Sequence, residues 1–167
     1  LNVDYTELLD RMINIAINGY KGKMGQVVAE IVTTAFSDKA RISYGIDVAA
    51  DNTGEIPVYA GAKGIPSDAK ADVIIDFSNP VALPGLLEYA VTNNIAVVVA
   101  TTGLSKEDEK LMSEKKKKIP LFWSANMSLG ICLLKELAKK AAAFLGEEYD
   151  IEIVEKHHNR KLDAPSG

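Results

Sequence analysis

The chain has one cysteine, Cys132, and two histidines, His157 and His158, in 167 residues. A single thiol closes no internal disulfide, which fits a reducing compartment and sets a cytoplasmic location as the expectation. Adjacent histidines on an extended segment point to opposite sides. They do not share one metal, and with only Cys132 elsewhere a zinc site has too few ligands. No metal is expected. Long apolar runs are also missing, since no stretch approaches the roughly 18 residues that a membrane-spanning helix takes. The amino end, LNVDYTELLDRM, has no basic segment leading into an apolar one and does not look like a signal peptide. Positive charge is in deficit: 19 Lys and Arg stand against 23 Asp and Glu, a formal net charge of −4. That balance argues against nucleic acid as the main partner. Neither a membrane nor a nucleic acid is expected, and the length suits one ordinary domain or one domain with the start of another.

What the chain does have is alternation. Short apolar runs, INIAI (13–17), RISYGID (41–47), VIIDF (73–77), IAVVVA (95–100), IPLFW (119–123) and DIEIVE (150–155), read as strands. Between them lie helical patterns. Met24, Val27, Val28, Ile31, Val32 and Ala35 fall on one helical face, and Asn79-Pro80 open a helix through Leu86, Leu87 and Val91. Pro84 inside that segment implies a kink or a late start. Ser105 caps SKEDEKLMSEKKKK, with acids in the first turn and lysines in the last, as the helix dipole favours. Ser128 caps a long helix to about Leu145, stopped by Gly146, and Cys132 is expected in its buried face. The stretch DNTGEIPVYAGAKGIP is turn-rich and without periodicity. Continuous apolar strands alternating with helices predict a Rossmann-like, doubly wound α/β fold on a parallel sheet. The strand at 150–155 feeds the histidine segment that follows it.

Gly19, Gly22 and Gly25 form G-x-x-G-x-x-G between the first strand and its helix. There the glycines permit a tight turn, and the helix N-terminus offers N–H groups to a pyrophosphate. Asp47, which closes the second strand, is the acid expected to take ribose hydroxyls. It favours an unphosphorylated ribose, whereas Lys21 and Lys23 tolerate a 2′-phosphate, so NADH and NADPH are both expected as cofactors. Ligands in such folds sit beyond the carboxyl ends of the strands. Those ends read Phe77-Ser78, Ala100-Thr101-Thr102-Gly103 and Ser124-Ala125-Asn126-Met127, all small or polar. The last thirteen residues, EKHHNRKLDAPSG, gather Lys156, Arg160 and Lys161 beside the histidines, followed by a turn bearing the Ser166 hydroxyl. Cations beside a proton donor suit a small dicarboxylate substrate.

That tail resembles the E-x-H-H-x-x-K-x-D-A-P-S-G-T motif of the 4-hydroxy-tetrahydrodipicolinate reductase (dihydrodipicolinate reductase) family. I-N-G-Y-K-G-K-M-G, D-F-S-N-P, A-T-T-G and S-A-N-M-S-L-G are similar to further motifs of that family, in its order, with Ala100 where a glycine is common. The resemblance implies reduction of 4-hydroxy-tetrahydrodipicolinate to tetrahydrodipicolinate, on the diaminopimelate route to lysine. It implies that Gly19, Tyr20, Lys21, Gly22, Lys23, Met24, Asp47, Phe77, Ala100, Thr101, Thr102, Ser124, Ala125, Asn126 and Met127 line the nicotinamide cofactor. His157 and Lys161 become the catalytic pair, with Lys161 binding substrate and helping to deliver a proton. His158, Ser166 and Gly167 bind substrate. The full-length family implies a homotetramer. Residues 12–127 are expected to form the dinucleotide-binding domain. Residues 128–167 are expected to form a connecting helix and the incomplete start of an α+β substrate and oligomerisation domain, after an extension at 1–11. A truncated reductase is expected to turn over poorly or not at all. A non-catalytic dinucleotide-binding module is the alternative.

Overall fold

The structure, a computed structural model, describes residues 11–156. Six parallel strands make one sheet in the order β3-β2-β1-β4-β5-β6. They are β1 (Ile13–Asn18), β2 (Ala40–Asp47), β3 (Val58–Ala60), β4 (Val73–Asp76), β5 (Ala96–Val99) and β6 (Leu121–Trp123). The helices are α1 (Lys23–Ala35), α2 (Leu83–Asn93), α3 (Lys106–Lys115) and α4 (Leu129–Leu145). From β1 the chain winds outward through β2 to β3, and from β4 it winds the other way. The reversal falls between β1 and β4, whose last residues, Asn18 and Asp76, are direct partners.

Strand alternation sends successive side chains to opposite faces. Ile15 and Ile17 pack with Ala29 and Val32 of α1. Ala16 and Ile74 pack on the other face with Leu83, Leu86 and Leu87 of α2 and Met112 of α3. Both faces are covered, which is why the strands read as unbroken apolar runs.

Local signals set the helix ends. Ser105 and Asp108 form a reciprocal capping box on α3, with Glu107, Asp108 and Glu109 in the first turn. Asn79 caps a 3-10 turn, Pro80–Ala82, by accepting from the Val81 N–H at 3.1 Å, and α2 starts only at Leu83. Pro84 therefore sits in the first turn, where its missing N–H costs no hydrogen bond. The helix closes on Asn94, whose φ of 53° is left-handed.

The structure departs from the sequence expectation at four places. β3 forms within the turn-rich stretch, because three residues pairing with Gly45–Asp47 need no periodicity to be recognised. The buried stripe of α1 is Gly25, Ala29 and Val32, whereas Met24, Val27 and Ile31 are exposed. Gly25 lets the helix press on the loop after β1, and Ala29 packs with Ile15 and Ile17, so the inward face carries the small residues and the larger ones point outward. Residues 150–155 form no strand: Ile151, Ile153 and Val154 are exposed, and the segment joins no ladder of the described sheet. Cys132 is exposed rather than buried, since α4 has no buried residue. That helix, capped by Ser128, belongs to a second compact unit from Ser124 onward, distinct from the unit ending at Trp123. Among the described residues no helix is long and apolar enough to cross a membrane.

Leu87 is fully buried between α2 and the sheet, while Val81 is 91% exposed. Leu87→Ala is expected to cost about 2–5 kcal/mol of unfolding free energy by urea denaturation. Val81→Ala should stay within about 0.5 kcal/mol. Equal losses for the two would contradict this packing.

Candidate dinucleotide-binding site

The loop between β1 and α1 is shaped by two glycines. Gly19 has φ of +78°, and a Cβ there would lie 2.7 Å from the Phe77 carbonyl oxygen. At Gly25 a Cβ would lie 2.2 Å from the Gly19 carbonyl oxygen, inside any tolerable contact. The loop and α1 are thus pressed together, which holds the helix N-terminus at the sheet edge. Gly22 is the N-cap and offers no side-chain acceptor, and no acid occupies the first turn. Helix N-termini are normally capped by an oxygen-bearing side chain. Here the first-turn N–H groups of Lys23, Met24 and Gly25 have no acceptor among the described residues. Oriented, unpaired N–H groups with the dipole behind them form an anion site.

Asp47, at the end of β2, faces this loop. One carboxylate oxygen accepts from the Lys21 N–H and the other from the Val48 N–H, each at 2.8 Å. Lone pairs remain on both oxygens for ligand hydroxyls. Gly19, Gly22, Asp47, Phe77 and Ser78 line one cleft of about 450 Å³, together with Asn18 and Gly61. It lies at the carboxyl ends of β1, β2 and β4, beside the reversal of strand order.

Tyr20 and Lys21 turn to a neighbouring cleft of about 590 Å³ with Asp51 and Thr53. The Tyr20 ring lies against Gly45, and the Lys21 ammonium pairs with Asp51 at 3.0 Å. Asp51 is pushed down to about 2, first by the hydroxyl hydrogen bond from Thr53, then by the Thr53 N–H and by Lys21. Lys23 and Met24 are exposed at the start of α1. Ala100 is buried and donates its N–H to the Asp76 carbonyl at 2.9 Å. Thr102 is exposed, but Thr101 is buried with its hydroxyl turned inward to the Asp76 carboxyl at 2.9 Å. What the threonine corner offers outward is therefore Thr102 and backbone rather than the Thr101 side chain.

Ser124, Ala125, Asn126 and Met127 belong to the second unit. Within it the Ser124 hydroxyl donates to the Asn126 carbonyl at 2.7 Å, and Asn126 Oδ1 accepts from the Ser128 N–H at 2.8 Å. His157, His158, Lys161, Ser166 and Gly167 lie outside the described residues. Among the described residues no group of three or more His, Cys, Asp or Glu side chains is placed to hold a metal ion.

Sequence reasoning missed Asn18 and Asp76, which are 4% and 0% exposed. Asp76 Oδ1 accepts from Asn18 Nδ2 at 2.8 Å, from the Ser78 hydroxyl at 2.6 Å and from the Ser78 N–H at 3.1 Å. With Thr101 on Oδ2, it joins the ends of β1, β4 and β5. The signal was an amide directly after Ile15-Ala16-Ile17 and an acid directly after Val73-Ile74-Ile75; a polar group buried there needs partners.

Two measurements check this geometry. Gly25→Ala is expected to destabilise by about 1–3 kcal/mol in urea. Gly54→Ala, whose added methyl meets nothing within 4 Å, should be close to neutral. A lowered carboxyl favours the folded state above its ordinary value of 3.8, and that contribution is lost as pH falls from there through about 2. A carbon-13 titration should place Asp51 near 2, and Thr53→Ala and Lys21→Met should each raise it. No rise in the Thr53 variant would mean that its hydroxyl does not contribute to the shift.

The family model described as dihydrodipicolinate reductase, N-terminus, matches residues 13–127, and that described as dihydrodipicolinate reductase, C-terminus, matches residues 130–167. The chain is 49% identical over 158 residues to the 4-hydroxy-tetrahydrodipicolinate reductase of Caldanaerobacter subterraneus subsp. tengcongensis. It is 44% identical over 156 residues to that of Clostridium novyi. Each alignment covers 93% of this chain and 60% of the relative, so the chain spans about three-fifths of the length of these curated relatives. Among solved structures, the dipicolinate-bound dihydrodipicolinate reductase of Paenisporosarcina sp. TG-14 superposes with a TM-score of 0.70 at 28% identity. That match covers 94% of this chain and 62% of the other. With a Rossmann-like sheet, an uncapped glycine-loop helix and a family model matched from residue 13 to residue 127, the chain belongs to the dihydrodipicolinate reductase family.

Proposed function

We propose that the chain carries the cofactor-binding part of an NAD(P)H-dependent reductase that converts 4-hydroxy-tetrahydrodipicolinate to tetrahydrodipicolinate. The observation that carries this reading is the open N-terminus of α1, with three first-turn N–H groups unpaired among the described residues and the Asp47 carboxylate across the cleft. The names borne by its relatives supply the reaction, and the dipicolinate bound to the Paenisporosarcina protein supplies the substrate class.

The residues fit a dinucleotide. Gly19, Gly22 and the first turn of α1 hold the pyrophosphate through backbone N–H groups, and Asp47 accepts from the adenosine ribose. Phe77, Ala100, Thr101 and Thr102 border the nicotinamide half, and the resemblance to the family assigns Ser124, Ala125, Asn126 and Met127 to the same cofactor. A bound reduced nicotinamide supplies hydride to C4 of the substrate ring, from which the 4-hydroxyl leaves as water. Lys161 and His157 hold the proton that the reaction consumes, and Lys161, His158, Ser166 and Gly167 hold the substrate carboxylates. Assembly into a homotetramer is part of the same reading.

Both cofactors are expected to bind. Asp47 disfavours a 2′-phosphate, but the Lys21 ammonium is held only by a solvent-exposed pair with Asp51 that is worth little, so it can be given up to a phosphate. Calorimetric titration should give micromolar binding of NADH, and NADPH within about a hundredfold, or about 2.7 kcal/mol. No binding of either would overturn the reading. Pyridine-2,6-dicarboxylate, a planar substrate mimic, should bind the NADH-loaded chain; indifference to it would leave a dinucleotide-binding module instead.

A further inference from the structure

Asp76 ends β4 with no exposure to solvent, after Val73, Ile74 and Ile75. A buried acid is costly unless its oxygens are met by donors. Four donors meet it: Asn18 Nδ2, the Ser78 N–H, the Ser78 hydroxyl and the Thr101 hydroxyl. This is the pattern around an acceptor-only group.

The consequence is a fixed polarity at the rim. Ser78 has one hydroxyl proton and directs it to Asp76 at 2.6 Å, with the Asn79 carbonyl oxygen a distant second acceptor at 3.4 Å, and it accepts from Asn18 Nδ2 at 2.9 Å. Only a lone pair is left to face the cleft that Ser78 lines. Thr101 gives its proton inward as well, which ties the backbone after β5 to the backbone after β4. The glycine loop lies at β1 and Asp47 at β2, so the other half of a dinucleotide runs over the ends of β4 and β5. That half carries donors, the ribose hydroxyls and the carboxamide NH2.

We propose that Asp76 is a positioning residue for the nicotinamide half of the cofactor. It turns the Ser78 and Thr101 hydroxyls inward, so that the β4–β5 corner presents acceptors and a fixed backbone to the ligand. This rests on the dinucleotide reading above.

The isosteric change Asp76→Asn keeps the shape and breaks the polarity. If the amide oxygen takes the Asn18 and Ser78 donors, its NH2 faces Thr101, whose hydroxyl must then accept and turn its proton elsewhere. The flipped amide sets NH2 against the Asn18 NH2 and the Ser78 N–H. Calorimetry with NADH and with ADP, which has the adenosine and both phosphates but no nicotinamide riboside, separates the two halves of the site. Asp76→Asn is expected to weaken NADH about tenfold or more and to leave ADP within about twofold. In a Ser78→Ala/Thr101→Val background the same change should weaken NADH no further, because Asp76 acts through those hydroxyls. That double variant alone should also lose NADH affinity and keep ADP, which serves as the test if Asp76→Asn does not fold. Equal losses for NADH and ADP, or no loss for NADH, would overturn the role. An unsubstituted chain that binds neither ligand would remove the dinucleotide reading and this inference together.

Discussion

A carboxyl group without access to water holds the ends of three adjacent strands in register. Asp76 bonds to Asn18 on β1, to Ser78 just beyond β4 and to Thr101 just beyond β5. Removing one partner of such a network leaves a buried group unsatisfied at a cost of about 1–3 kcal/mol or more. The three chain ends are therefore not free to move separately. Since strand order reverses between β1 and β4, this tie sits where an open α/β sheet forms its ligand crevice. The hydrophobic layers on both faces hold the sheet together, but they carry no directional information at its edge. Hydrogen bonds to one acid supply it.

The glycine loop solves a different problem in the same crevice. It must bring a helix N-terminus up to the end of β1 without closing it. Gly25 allows α1 to sit against the Gly19 carbonyl, and Gly19 adopts a left-handed turn under Phe77. Gly22 at the N-cap leaves the first-turn N–H groups unclaimed. A serine there would stabilise the helix and fill the anion site with its own oxygen. Local stability is given up at the position where a ligand is meant to supply the missing acceptor.

The sheet was legible in the sequence because parallel strands covered on both faces become unbroken apolar runs. INIAI and VIIDF could not be much else. Caps at Ser105, Asn79 and Ser128 were legible for a local reason, each depending on residues within three positions. What escaped was non-local. β3 is three residues long and exists only because β2 offers an edge. The stripe that α1 buries runs through the small residues Gly25 and Ala29, which a periodicity count does not weigh. Asp76 looked like the polar end of a strand until its partners, 25 and 58 residues away, were placed around it. Residues 150–155 have the composition of a strand, but a strand is a pairing, and they join no ladder of the described sheet.

The two halves of the crevice are built from opposite materials. On the adenosine side, Asp47 is held by backbone N–H groups, and Lys21 and Asp51 pair in the open. Exposed pairs of this kind contribute little and rearrange at small cost. On the other side, Asn18, Asp76 and Thr101 are buried and mutually satisfied, so a change to any of them disturbs all three. Under the proposed reading, the side that distinguishes one dinucleotide from another is the adjustable one. The side that must place a nicotinamide ring for hydride transfer is the rigid one. A cofactor preference can then shift through surface substitutions without loosening the geometry of the transfer, because the two are fixed by residues that share no hydrogen bond.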